Sequence, residues 1–330
     1  MPRPTPQDRH VDGVLSNVGM AFFQDPRFYV SGRVFPRAPV PKQSDKFRTY
    51  SLSELLRLRA QKINPGQPAP QDTGTFSDDT FFCEKYGLGD FLTPEDIAND
   101  DGPIPPEEVL INALMQGHLT DMEIRWAATY FTTGVWAEDW QGVAAAPGAN
   151  EFLQFDATGA DPVETVTQAR RERANAVGET YAPNVAVIGG EVWDHMQTNA
   201  AIQDRIKYTG QPGAKVTTQM LASLFQVEEV LVAGAIYNSA AENATASMTQ
   251  IFGKSILMAY RTRTPSPRIP SAGYTFVWNQ PSDAPAGLEV VVRKIPRPEM
   301  GNRTDYEAIQ YWNQKLCSSA LGIYLYDVIS

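Results

Sequence analysis

Fourteen of the 25 prolines lie in the first 110 of the 330 residues. Proline fixes φ, removes a backbone donor and pushes the residue before it towards extended backbone. The front third therefore favours extended, strapped-down chain over packed elements, while the rest reads as a well-ordered α/β body. A long ordered extension beside a modest globular body suits a subunit of an assembly. Such an extension covers neighbours with segments that have no core of their own.

Composition narrows the function classes. Hydrophobic residues make up 42% and aromatics 10% of the chain, which fills a sizeable core and argues against global disorder. Thirty-eight acidic against 28 basic residues leave a formal charge of −10. That surface repels nucleic acid, and no Lys/Arg block offsets it locally. Cys83 and Cys317 make no CxxC pair and fit a reducing compartment without structural disulfides. Residues 1–12 are polar and Pro-rich, unlike a secretory leader. No window approaches the roughly 18 apolar residues of a membrane span.

Along the chain, residues 1–47 read as an arm, with a short amphipathic turn or two near 11–23. Its Pro36-x-x-Pro39-x-Pro41 spacing favours polyproline-like backbone. Hydrophobics interleaved with the prolines favour an ordered strap between subunits over a plain surface loop. Residues 48–100 carry a Pro/Gly-rich stretch at 64–70 and a strand-like run at 73–89. This predicts a two-stranded excursion, which as a lone hairpin needs a surface to lie on.

The longest helical signal covers 104–131. Pro105-Pro106 opens it, Glu107-Glu108 complement its positive end and Gly134 stops it. Apolar residues recur at Ile111, Met115, Leu119, Met122, Trp126 and Tyr130. Gly117 costs about 1 kcal/mol against Ala, so tertiary packing must hold the helix there. A second helix starts at the Asp161-Pro162 cap and closes at Gly178. A buried strand at 185–188, a helix at 191–206, a helix at 217–225 and a strand at 229–232 then make an α/β unit. From 247 the pattern turns to strands at 251–260, 274–278 and 288–295. The apolar end at 306–329 predicts a terminus tied into a sheet.

Catalytic chemistry is scarce. His10, His118 and His195 have no metal-ligand spacing, so they read as solvated or core residues. Ile188-Gly189-Gly190-Glu191 follows a strand but lacks the third glycine of a dinucleotide loop and the Gly-Lys-Ser/Thr of a P-loop. Asp78-Asp79 and the acidic run at 96–101 lack EF-hand spacing and read as solvated loops. No catalytic, cofactor-binding or metal-binding residue is assigned, and no cofactor is expected. Trp126, Trp136 and Trp140 cluster near the end of the long helix as core or interface anchors.

Several segments carry a family resemblance. They are Gly32-Arg33-Val34-Phe35-Pro36 with 39–45 in the arm, Phe131 to Trp136 after the long helix, and Arg205-Ile206-Lys207-Tyr208-Thr209. Pro270 to Phe276 and the closing stretch 306–329 complete the set. In this combination and order, over nearly the whole chain, the sequence resembles the major capsid proteins of tailed bacteriophages, with the Hong Kong 97-type (Johnson) fold and a lambda-like branch. The resemblance implies an α+β fold. Residues 1–47 become an N-terminal arm and 48–100 an extended loop. Residues 101–182 become a peripheral domain with its spine helix at 104–131. Residues 183–283 become an α/β axial domain, and 284–330 a return to the peripheral domain.

The implied function is assembly, not turnover. Pentamers and hexamers of the chain would form an icosahedral virion shell around phage double-stranded DNA, without sequence-specific contacts and away from membranes. A separate scaffolding protein and a portal are implied partners, as is a decoration or cementing protein, with assembly in the host bacterial cytoplasm. The chain shows no charged helical leader, which points to scaffold on another chain, and no covalent cross-link is expected. The nearest rival shares the fold, as an encapsulin-type nanocompartment shell. A soluble α/β enzyme built around Asp194 and His195 is the rival from another class.

Overall fold

The computed structural model describes residues 24–49, 77–100, 105–207, 216–241, 244–264, 270–279 and 290–330, with isolated positions between 58 and 68. The turns expected at 11–23, His10, positions 67, 69 and 70 of the Pro/Gly-rich stretch at 64–70, and Tyr208-Thr209 lie outside the described residues.

After a 3-10 turn at Pro26–Phe28, the chain makes a single-turn helix, α1 (Ser31–Val34). Strands β1 (Arg37–Val40) and β2 (Ser44–Thr49) follow. The backbone expected to be polyproline-like is a strand instead. β1 pairs in parallel with residues 275–278, Arg37 opposite Thr275 and Val40 opposite Trp278. β1 is the sheet's edge strand, where Pro39 has no ladder bond to lose. The segment expected to strap neighbours is thus, over residues 30–40, part of its own subunit's core. Val30, Val34, Phe35, Ala38 and Val40 are all buried, because the apolar residues between the prolines fall on one side of the path.

The excursion is two-stranded, as expected. β2 pairs antiparallel with β3 (Ser77–Phe82), Ser44 opposite Phe82 and Thr49 opposite Ser77. The run predicted at 73–89 breaks at Cys83, whose N–H donates to Gln43 O at 2.8 Å. Beyond it, β4 (Glu84–Leu92) leaves the hairpin for a different sheet. A capped short helix, α2 (Pro94–Ala98), leads to the long helix α3 (Pro106–Tyr130).

The buried face of α3 differs from the predicted stripe in its first half. Leu110, Leu114 and His118 are buried there, followed by the expected Met122, Trp126 and Tyr130. The stripe is an i+4 row that winds across the helix axis, a ridge suited to an inclined partner. That partner is a ribbon of strands, and His118 joins the row because its Nε2 lies 2.9 Å from Ala308 O.

The chain continues through β5 (Asp139–Val143), β6 (Glu151–Leu153), α4 (Pro162–Val177) and the fully buried β7 (Val185–Gly189). The helix predicted at 191–206 is two helices, α5 (Gly190–Thr198) and α6 (Ala200–Lys207). Asn199 separates them, because its Oδ1 accepts from the N–H groups of Ala201 and Ile202 and starts a new helix. α7 (Thr218–Phe225), β8 (Glu229–Ala233), a hairpin of β9 (Ile236–Asn238) and β10 (Met248–Gln250), and β11 (Ile256–Ala259) follow. The last strands are β12 (Gly273–Trp278), β13 (Val290–Arg297), β14 (Arg303–Leu316) and β15 (Gly322–Tyr326).

Two main sheets result. A six-stranded mixed sheet runs β6-β5-β15-β11-β7-β8, and a second runs β1-β12-β14-β13 with β4 also on β14. Each sheet draws strands from widely separated parts of the chain. β12, placed with the α/β unit by sequence, pairs with β1 and β14. β15, placed with the other domain, lies at the centre of the six-stranded sheet, Ile256 opposite Leu325. Its all-apolar face pattern needs cover on both sides, which only a central position supplies. The apolar terminus is tied into a sheet, as its composition predicted.

Candidate functional site

The features available for assembly are the docked front segment, the β2–β3 hairpin and the apolar residues left uncovered. The front segment is held at four points. Gln24 bonds both backbone groups of Ile236, donating to its O at 2.6 Å and accepting from its N at 2.9 Å. Tyr29 bonds the Thr120 hydroxyl at 3.0 Å and the Gln116 side chain. Glu123, fully buried in the middle of α3, accepts from Val30 N–H at 2.6 Å and Ser31 N–H at 3.0 Å. Burial pushes its carboxyl above the ordinary range, against the pull of these bonds.

The fourth point is Phe35. Its ring lies 4.8 Å from Tyr130, 5.6 Å from Trp126 and 6.5 Å from Trp136, centroid to centroid. Gly273 floors the cage, since a Cβ there would meet the Phe35 ring at 2.4 Å. Two of the three clustered tryptophans thus receive the arm. Outside the cage, Glu229 pairs with both Arg33 and Arg261, and Arg261 also donates to Arg33 O at 2.7 Å. These pairs are partly exposed and contribute at most about 1 kcal/mol each.

The hairpin lies on its own subunit at its root. Phe81 stacks on Phe276 at 4.4 Å, and Phe47 tilts against the same ring at 5.4 Å. Along the β13-β14-β4 ribbon, Tyr306 and Ala308 pack on Leu110 and Leu114, and Trp312 on Met122. Phe82, Phe91, Val292 and Met300 stay 40–55% exposed on the hairpin and ribbon. Ile236 and Met248 are exposed on the β9–β10 hairpin. Exposed apolar residues grouped on projecting strands are what contact with other chains would cover.

The residues weighed for chemistry have structural places. Asp79 pairs with Lys315 at 3.0 Å, and Asp96 closes a capping box with Thr93. Gly189 is needed for close approach, because a Cβ there would sit 2.0 Å from Gly253 O. His195 is half-buried in α5, and His118 lies 190 residues from its backbone partner Ala308. Among the described residues no group of three His, Cys, Asp or Glu is placed to hold a metal, and no helix is long and apolar enough to cross a membrane. Cys83 and Cys317 are free thiols, each pushed up to about 12 by burial.

No motif in the sequence singles out Glu123, and Phe35 stands out only within the Gly32–Pro36 segment that carries the family resemblance. A signal for Glu123 exists, since it lies on the apolar stripe between Leu119 and Trp126 at spacings of four and three. For Phe35, no signal beyond that segment and its place among prolines marks it as the anchor of the aromatic cage.

No protein-family model matches the chain. The sequence is similar to the major capsid protein of Burkholderia phage BcepMu, 26% identical over 283 residues, which cover 81% of this chain and 83% of that protein. The structure is similar to a phage-related protein from Bordetella bronchiseptica RB50, with a TM-score of 0.68 and 20% identity, over 96% of this chain and 97% of the other. It is also similar to the capsid structure of the cyanophage P-SCSP1u, with a TM-score of 0.57 and 10% identity, over 89% and 86% of the two chains. The long helix crossed by a strand ribbon, the hairpin excursion and the mixed α/β sheet, together with these likenesses, place the chain in the Hong Kong 97-type capsid fold.

Proposed function

We propose that the chain is the major capsid protein of a tailed phage, a structural protein that self-assembles into the virion shell. The carrying observation is the sequence similarity to the BcepMu major capsid protein over four-fifths of both chains, on a fold shared with phage capsids. Pentamers and hexamers would close an icosahedral shell around double-stranded DNA. Residues 24–47 serve as the described part of the arm and 48–100 as the extended loop. The α3 helix with the β13-β14-β4 ribbon and β12 forms the peripheral domain. The six-stranded sheet with α5, α6 and α7 contains the axial domain.

The physical logic is repetition. Each exposed apolar contact is weak alone, but a closed shell repeats it many times, and segments reaching across neighbours add effective concentration. The charge of −10 suits an inner wall that does not bind packed DNA, leaving phosphate charge to small cations. A scaffolding protein, a portal and a cementing protein are the further partners this reading implies, with assembly in the host bacterial cytoplasm.

Electron microscopy of the full chain, expressed with and without a scaffolding protein, tests the reading. Closed shells support it, and a uniform population of small oligomers that never assembles overturns it. Particles from infected cells that protect double-stranded DNA from nuclease separate a virion from an encapsulin-type shell, which would hold protein cargo instead.

A further inference from the structure

We infer that Glu123 is the positioning residue of the front segment, fixing from α3 the path along which residues 24–40 cross their own subunit. The inference deepens the shell-protein reading and rests on it for the consequence in assembly, while the local geometry stands by itself.

α1 starts without a cap of its own. Its N-cap is Val30, whose branched hydrocarbon side chain makes no capping bond, yet the first N–H groups of any helix need acceptors. Glu123 supplies them from 93 residues away. Oε1 takes the Val30 N–H and Oε2 the Ser31 N–H, so both oxygens of one carboxyl are committed to adjacent amides. A Glu with no exposed surface is otherwise rare and costly.

Two acceptors on a rigid helix fix both the distance and the rotation of α1 against α3. Those two quantities decide the rest of the path. Downstream, the turn of α1 aims Phe35 into the Trp126–Tyr130–Trp136 cage and starts β1 along β12. Upstream, it sets Tyr29 over Thr120 and lets Gln24 reach Ile236. Tyr29 and Phe35 are held through their own side chains. The Glu123 bonds go to the backbone of Val30 and Ser31, with the Ser31 side chain as a further partner, and so hold the chain path itself.

The test uses the full chain with Glu123→Ala and the nearly isosteric Glu123→Gln, which turns an N–H₂ towards one of the two amides. Trypsin cleavage after Arg27 and Arg33 is followed by mass spectrometry beside cleavage after Arg173, which is buried in α4, and beside particle yield by electron microscopy. Cleavage at such bonds reports local opening. Both variants should speed cleavage after Arg27 and Arg33 roughly tenfold or more, since each leaves a buried amide without its acceptor. Cleavage after Arg173 should stay slow and closed shells should become fewer. Unchanged cleavage after Arg27 and Arg33 would overturn the inference. An equal rise after Arg173 would do so too, because Glu123 would then be a general core residue. If Glu123→Ala does not fold, Glu123→Gln carries the comparison. Absence of shells from the unsubstituted chain would count against the capsid reading and leave the proteolysis result standing.

Discussion

The carboxyl of Glu123 accepts the amide proton of Val30 at 2.6 Å, joining the middle of the longest helix to a single helical turn 93 residues earlier. Neither partner is exposed. A side chain that sequence patterning places on an apolar stripe thus serves as the cap of a different helix.

This arrangement gives the protein a pH response of defined sign. Burial raises the Glu123 carboxyl above its ordinary value, so the folded state holds that proton more tightly than the unfolded one. The stability this contributes is fully present below the unfolded pKa and is lost as pH rises through the folded value. Glu107 has the opposite sign, because its hydrogen bond from Lys294 lowers its carboxyl. Its contribution is present above the unfolded pKa, is lost as pH falls through the folded one, and is small because the pair is exposed. Denaturant midpoints measured from acid to alkaline pH should fall less with rising pH in Glu123→Gln than in the unsubstituted chain. Parallel curves would rule this out.

Phe35→Ala should be among the most damaging single changes. The ring is fully buried among three aromatic side chains, and emptying such a site costs about 3–5 kcal/mol. Urea unfolding followed by tryptophan fluorescence reads it directly, with Trp126 and Trp136 as reporters. A loss below about 1 kcal/mol would mean that the cage collapses around the gap.

Two glycines should respond differently to Ala. A Cβ at Gly322 would enter the Trp136 ring at 2.2 Å, and that ring is held by its Nε1 bond to Tyr130 O at 2.7 Å. Gly322→Ala should cost at least about 1–3 kcal/mol by overpacking. A Cβ at Gly117 meets only the Leu88 Cδ2 methyl, at 2.6 Å. There the gain of about 1 kcal/mol in helix propensity offsets a clash that a flexible side chain can relieve. Gly117→Ala should be near neutral alone and stabilising relative to Leu88→Ala in the double variant. Thermal melts of the four chains decide it.

Both thiols should be inert in the folded protein. Cys83 is buried beneath Phe276, and burial pushes each thiol up to about 12, so almost no thiolate is present near neutrality. A chromogenic thiol reagent at about pH 8 should label neither residue until denaturant is added. Prompt labelling of the native chain at Cys317 would contradict the packing described for it.

Elements whose ends are written locally were legible in the sequence. Pro105-Pro106 marks the start of α3 and Asp161-Pro162 the start of α4. Each of these signals acts within a turn of the residue that carries it. Asn199 escaped because a capping side chain inside a long periodic run is not distinguished from a solvated one until its acceptor is seen bonded. The stripe on α3 was read correctly where Met122, Trp126 and Tyr130 carry it. It was misread where the true face includes His118, whose burial depends on Ala308.

The sequence by itself determined the α+β class, the extended front, the long helix and the resemblance to capsid proteins. These rest on proline content, local caps, periodicity and residue order. Only the tertiary structure decided that the front segment docks on its own subunit, that β4 leaves its hairpin for β14, that β12 and β15 exchange sheets, and that Glu123 caps α1. Those outcomes are choices among partners tens to hundreds of residues away. They turn on which surfaces fit and which buried polar groups find acceptors, and a linear pattern does not encode that.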